Sequence, residues 1–212
     1  ITNSYTPGKT SISVTKAWDD NDNQDGLRAK TIKVQLYADG EKQGDEVTLT
    51  EAGGWTYTWT DLDAKKAGKD IVYTVKEVGA TDGYTAIVTG DAETGFIITN
   101  THTPETTKVE GTKTWNDSDN QDGKRTDSIT VRLLADGKEI KNKTVTEADG
   151  WKYSFTDLPK YADGKEIVYT VTEDSVPDYT TKITGYKITN SYTPGKTSIS
   201  VTKAWDDNDN QD

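Results

Sequence analysis

GGWTYTWTDL, residues 53–62, alternates from end to end. Trp55, Tyr57 and Trp59 interleave with Thr56, Thr58 and Thr60, a period of two that sends successive side chains to opposite faces of a strand. Ile32, Val34 and Leu36 interleave with Lys33 and Gln35 in the same way, and turn clusters such as ADGEK at 38–42 and ADGKE at 135–139 separate the runs. Short alternating strands rich in Val, Ile, Thr, Tyr and Trp, with a turn every few residues, predict an all-β sandwich of about seven strands. AKKAG at 64–68 reads as one short turn, and no substantial helix is expected.

The opening stretch returns as DGWKYSFTDL at 149–158. VTKAWDDNDNQDGLR at 14–28 returns as GTKTWNDSDNQDGKR at 111–125, KDIVYTVKE at 69–77 as KEIVYTVTE at 165–173, and FIITNTHTP at 96–104 as YKITNSYTP at 186–194. Four blocks in one order define two homologous domains, at 8–103 and 105–194. Residues 1–25 and 188–212 are letter-for-letter identical, giving a longer period of 187 residues (188 − 1). Residues 1–7 therefore read as the last strand of a preceding repeat and 195–212 as the first strand of a following one. Such an array points to a spacer or a multivalent surface rather than to one active site. The joints YTPG and HTPE carry proline, which limits flexing between neighbours.

Composition narrows the classes. A net charge of −11 argues against nucleic acid as a partner. Cysteine and methionine are absent, so no disulfide can tie the domains. No stretch approaches the length of a membrane span and none reads as a signal peptide, as expected of an excerpt or a mature segment. Hydrophobic residues make up only 31% of the chain, yet its six Trp and eleven Tyr recur in register, which a disordered chain would not do. Domains with cores this thin usually need an extra constraint.

Strand parity suggests what that constraint is. Lys16 shares a face with Ile12, Val14 and Trp18; Glu77 continues the face of Ile71, Tyr73 and Val75; Asn100 continues that of Phe96 and Ile98. Lys113, Glu173 and Asn190 repeat the arrangement. A lysine, a carboxyl and an amide thus point inward in both domains, although buried Lys and Glu are rare unless paired. Taken singly, they read equally as strand ends fraying into solvent or as an ordinary salt bridge. Recurrence of all three permits a further chemistry. A buried amine favours its neutral, nucleophilic form and a buried carboxyl its protonated one. The amine can attack the Asn side-chain carbonyl, the acid relaying protons, to give an amide and ammonia.

KTW, ADGK, GWKYSFTDLP, YTVTE and ITNSYTP resemble the collagen-adhesin B-type repeats of Gram-positive surface proteins, and the resemblance covers nearly the whole chain. It implies immunoglobulin-like sandwiches with reversed strand order, in tandem. It implies intramolecular Lys–Asn isopeptide bonds with an acidic catalyst: Lys16 to Asn100 with Glu77, and Lys113 to Asn190 with Glu173. It also implies an extracellular stalk anchored to the cell wall, with collagen binding in another region of the parent protein. One departure concerns the stretch after the glutamate. Asn100 follows Glu77 by 23 residues (100 − 77) and Asn190 follows Glu173 by 17 (190 − 173), so placement in the first domain is the less secure. The crosslinks would close loops of 84 (100 − 16) and 77 (190 − 113) residues, worth about 4–5 kcal/mol each if they act as disulfides do. Load entering on the first strand would leave through the bond to the last.

Other readings compete. In DDNDNQDG at 19–26, Asn21, Asn23 and Asp25 before Gly26 loosely fit the start of a calcium loop. The twelfth position is Ile32, and Ile129 in the second repeat, where a bidentate Glu is needed. No metal and no cofactor is expected. His102 lies in a joint and reads as a solvated linker residue. Trp55, Trp59, Trp151 and Phe155 read as core rather than as a sugar platform. The functional rival to a stalk is an adhesin module that itself contacts a host matrix protein. An enzyme acting on outside substrates is not expected, since no Cys, His or repeated Ser constellation exists. The partners expected are the neighbouring repeats, and the chain itself is expected to be a monomer.

Overall fold

The computed structural model describes residues 1–206. The first repeat runs through β1 (Lys9–Asp19), β2 (Thr31–Ala38), β3 (Glu41–Thr50), β4 (Thr56–Asp63), β5 (Lys65–Lys66), β6 (Lys69–Asp70), β7 (Tyr73–Val78), β8 (Thr85–Asp91) and β9 (Gly95–Thr101). The second runs through β10 (Thr106–Asn116), β11 (Ser128–Ala135), β12 (Lys138–Thr146), β13 (Lys152–Pro159), β14 (Tyr161–Ala162), β15 (Lys165–Glu166), β16 (Tyr169–Glu173), β17 (Thr180–Thr184) and β18 (Lys187–Ser191). Set aside the two-residue strands and each repeat has seven. AKKAG is not a bare turn but part of one of these minimal hairpins, β5–β6, turned by Ala67 and Gly68 at φ 48° and 79°. Among the described residues the one helical turn is a 3-10 turn, Glu147–Asp149. No helix there is long and apolar enough to cross a membrane.

Each repeat is an immunoglobulin-like sandwich. One sheet has the order β4-β1-β9-β8 and the other β3-β2-β7; the second repeat gives β13-β10-β18-β17 and β12-β11-β16. The first and last strands are neighbours and run parallel, Lys16 opposite Ile98 and Lys113 opposite Ile188. Alternation delivers the core as read: Ile12, Val14 and Ile98 face Val34, Leu36 and Val75, all at most 3% exposed. Trp55 and Trp59 pack against that core, and Phe155 is buried in the second repeat. The tips of the β2–β3 and β11–β12 hairpins are Asp39-Gly40 and Asp136-Gly137, all at positive φ as a type I′ turn requires. By contacts the chain falls into two compact units, Ile1–Thr107 with Asp157–Ile167, and Lys108–Thr156 with the chain from Val168 on.

Residues 1–8 and 192–206 form no strand. The comparison with β1 is direct, because KTSISVTKAWD occurs at 9–19 and again at 196–206. Ile12 and Val14 are 1% and 0% exposed; their counterparts Ile199 and Val201 are both 89% exposed. The sequence is the same and the outcome differs, so this strand is made by its partners and not by its own propensity. The segment read as a following first strand, 195–212, lies partly outside the described residues, from 207 on.

The acidic loops are Arg sites. Asp20, its side chain 1% exposed, takes Arg28 Nε at 3.0 Å and Nη2 at 2.6 Å, Tyr84 Oη at 2.7 Å and the Asn23 amide at 2.9 Å. Asn23 Oδ1 in turn accepts the Arg28 amide. Asp117, Asn120, Arg125 and Tyr179 repeat every one of these bonds. Arg28 holds the Asp20 carboxyl down at about 2, so it stays ionised. Asn21, Asp22 and Asn23, like Ser118, Asp119 and Asn120, sit at φ 51–59°. That left-handed run is one that Asn and Asp enter more readily than most residues, which accounts for the composition that had suggested calcium.

His102 corrects the reading of a solvated linker residue. Its side chain is 10% exposed, with Nδ1 2.8 Å from the Gly83 carbonyl and Nε2 2.9 Å from Asp25 Oδ2. Both partners are acceptors, so only the imidazolium can bond to both. The same Asp25 oxygen takes the Glu105 amide at 2.8 Å and so pins the exit from β9. In the second repeat Tyr192 replaces the histidine, its hydroxyl and the Gly195 amide both bonding Asp122 Oδ2 at 2.9 Å. Asp25 raises the His102 pKa above its usual 6.5, and His102 with the Glu105 amide lowers that of Asp25. A raised histidine pKa gives stability that is full below the unfolded value and is lost as pH climbs through the folded one. The Asp25 contribution is lost in the opposite direction, as pH falls through its folded pKa. We expect the single histidine C2-H resonance to titrate above pH 6.5 and the protection factor of the Glu105 amide, the slowing of its exchange relative to the unfolded chain at the same pH, to fall above that pKa. His102→Tyr should make that protection factor insensitive to pH between 6 and 8. A titration at or below 6.5 would show that the pair is not formed.

Candidate functional site

In each repeat three strands bring a lysine, a glutamate and an asparagine to one end of the core. Lys16 on β1 is 4% exposed and Lys113 on β10 also 4%; Asn100 on β9 is 1% and Asn190 on β18 is 0% exposed. In the parallel ladder Trp18 lies opposite Asn100 and Trp115 opposite Asn190, so each lysine sits two residues before its asparagine on a shared face. Glu77 and Glu173 come from the opposing sheet, at the ends of β7 and β16. The Lys16 and Lys113 amides are anchored at 2.8 Å to the carbonyls of Trp55 and Trp151. Both Trp stand at positive φ, 57° and 55°, an uncommon conformation for so bulky a residue.

The two sites hold their groups differently. In the first, Asn100 Nδ2 donates to Glu77 Oε1 at 3.0 Å and to Thr81 Oγ1 at 3.3 Å. Lys16 Nζ donates to the Ala17 carbonyl at 2.6 Å and the Ile98 carbonyl at 3.4 Å. Glu77 Oε2 and Asn100 Oδ1 are buried without a partner. In the second, Lys113 pairs directly with Glu173, both side chains 0% exposed, and neither side-chain atom of Asn190 has a hydrogen bond. Burial pushes Lys16 down to about 8, against the pull of Glu77. It lowers Lys113 too, against the pull of Glu173.

An aromatic floor lies under each amine. Lys16 Nζ stands 3.9 Å from the centroid of Trp18, which makes edge contacts with Trp55 and Tyr84. Lys113 stands 4.2 Å from Trp115, flanked by Trp151 and Tyr179. Arg28 and Arg125 lie 5.7 and 5.6 Å from the same two rings. Sequence reasoning missed these arginines and tyrosines. The signal for the arginines was present: each closes the repeated block that contains the lysine. The hydroxyls of Thr81 and Thr181, which meet Glu77 and Glu173, had no such signal. A cleft of the first repeat, lined by Leu27, Ile32, Glu77, Val78, Thr81 and Asp82 among others, opens on the glutamate.

The family model for the Cna protein B-type domain matches this chain twice, over residues 12–101 and 109–191. The chain is 57% identical over its whole length to a collagen adhesin of Staphylococcus aureus, of which it spans 18%. It also matches the crystal structure of two B repeat units of the collagen binding protein of the same organism. That match has a TM-score of 0.85 and 56% identity, and covers 98% of this chain and 56% of that one. The chain therefore belongs to the Cna B-type domain family, the repeat domains of surface adhesins, and carries two of its domains in tandem.

Proposed function

We propose that the chain is a stalk segment of a cell-wall-anchored surface adhesin, built of B-type domains at 8–103 and 105–194. Each domain is closed by a self-formed isopeptide bond, Lys16–Asn100 and Lys113–Asn190. The observation that carries this reading is Asn190: a wholly buried amide with neither polar atom bonded, beside a wholly buried amine and carboxyl. An unsatisfied buried polar group costs about 1–3 kcal/mol. Acylating Lys113 with this side chain removes the amide nitrogen as ammonia.

The two arrangements correspond to the two duties of the acid. Glu173, on Lys113, is placed to take the ammonium proton and leave a neutral amine. Nζ then attacks Asn190 Cγ, and the protonated carboxyl polarises Oδ1. Glu77, on Asn100 Nδ2, is placed at the leaving nitrogen, where it delivers the proton that lets ammonia depart. The C–N bond to the asparagine nitrogen breaks and that to the lysine forms; Nζ gives its second proton to the glutamate, which hands it on to the released ammonia, so the nitrogen leaves as ammonium and the glutamate ends as it began. The opening beside Glu77 gives ammonia a way out. The reaction turns over once, so the domain is not an enzyme. Contact with a host matrix protein by these domains has less support, because Trp55 and Trp59 are packed against the core. Collagen binding belongs to other regions of the parent protein.

Three outcomes test the reading. The intact mass should fall short of the sequence mass by about 34 Da, two molecules of ammonia; equality with the sequence mass would refute it. Glu77→Gln and Glu173→Gln should each abolish their own bond in a folded sandwich, read by tryptic mapping, and full crosslinking in either removes the acid from the mechanism. Lys16→Ala with Lys113→Ala should lower each domain's stability by about 4–5 kcal/mol, roughly 20 °C in Tm or more. An unchanged Tm would end the stabilising role.

A further inference from the structure

Thr81 and Thr181 come from positions that do not correspond, yet each gives its hydroxyl to the site glutamate. Thr181 Oγ1 donates to Glu173 Oε2 at 2.9 Å from β17, where Thr181 lies opposite Asn190 in the ladder. Thr81 Oγ1 donates to Glu77 Oε1 at 3.1 Å from the loop before β8. The equivalence of the two repeats is fixed by Tyr84 and Tyr179, whose hydroxyls both bond the loop aspartate. Two residues beyond each tyrosine stand Ala86 and Thr181, opposite Asn100 and Asn190. The ladder position that carries a hydroxyl in the second repeat is therefore alanine in the first. There the hydroxyl arrives instead from a loop one residue longer between glutamate and tyrosine, seven steps (84 − 77) against six (179 − 173). Thr181 is exposed on β17, but the carboxylate it bonds is not: the Glu173 side chain is fully buried.

We propose that Thr81 and Thr181 are positioning residues for Glu77 and Glu173. Each hydroxyl fixes the carboxyl torsion, so that the acid addresses both the lysine amine and the asparagine amide. The proposal rests on the Lys–Asn bond reading. In the second repeat one carboxyl oxygen takes the threonine and the other the lysine. In the first, the threonine shares one oxygen with Asn100, and the other is left buried and free. The hydroxyl does not touch the reacting carbon. It restricts a side chain that would otherwise have to find two partners in turn.

The test uses full-length chain dissolved from inclusion bodies in denaturant and refolded, with bond formation followed by intact mass and assigned by tryptic mapping. Thr181→Val keeps the shape and should slow the Lys113–Asn190 bond about tenfold or more, while Lys16–Asn100 in the same molecule keeps its wild-type rate. Thr81→Val should do the converse. Thr181→Ser should restore the rate. Ala86→Thr in the Thr81→Val background should restore the first bond by using the second repeat's geometry. Val variants that crosslink at the wild-type rate overturn the proposal and leave the bond reading standing. So does a Ser variant as slow as the Val one; if Val at 181 prevents folding, Thr181→Ala takes its place in the same comparison. A wild-type chain that never loses ammonia overturns both.

Discussion

The first and last strands of each repeat run side by side in parallel, β1 with β9 and β10 with β18. A parallel ladder puts residues of matching parity on one face in fixed steps, so the lysine that begins a repeat lies two positions from the asparagine that ends it. The sheet could not have brought these groups together by local pairing; they are far apart in sequence and meet only when the sandwich is complete. The opposing sheet contributes the glutamate, and the Trp at positive φ anchors the lysine backbone. Each part of the site is thus a consequence of which strands are neighbours.

Much of this was legible in the letters. Period-two alternation in GGWTYTWTDL and KDIVYTVKE marked strands, and the parity of Lys16, Glu77 and Asn100 matches the faces that fold inward. What escaped had physical causes. The loop DDNDNQDG was weighed as a cation site because its acidic residues are read together, whereas the structure gives Asp20 a cation eight residues on, at Arg28. His102 was read from its place in a joint, and only the tertiary arrangement shows that Asp25 and the Gly83 carbonyl enclose it. Thr81 was invisible for a deeper reason: comparison of the repeats aligns Ala86 with Thr181, and a hydroxyl supplied from a different place in the chain leaves no pattern.

Charge inside the repeats is managed in two ways. Asp20 and Asp117 are ionised and fully answered, by a forked guanidinium, a phenol and a backbone amide, and so cost little to bury. The lysines are poorly answered. Lys16 has two carbonyls and the face of Trp18, with its pKa drawn down to about 8, and Lys113 has one carboxyl and the face of Trp115. An environment that satisfies one charged group and strips another of solvent within a few residues separates a structural clamp from the amine proposed to react.

The unpaired segment 196–206 has a bearing on synthesis. Its sequence is that of β1, yet it forms no strand, and Ile199, Val201 and Trp205 are exposed. Every first strand passes through this condition as the chain leaves the ribosome, because its parallel partner emerges some 80 residues later, on the order of ten seconds at ordinary elongation rates. During that interval the strand is open to capture by any compatible sheet nearby. In a chain of this pattern the adjacent domain is the diverged sibling, with KVEGTKTWN in place of SISVTKAWD, and an identical strand returns only after 187 residues (188 − 1). Alternating two dissimilar domains therefore keeps each nascent strand away from its own double until its proper partner has arrived.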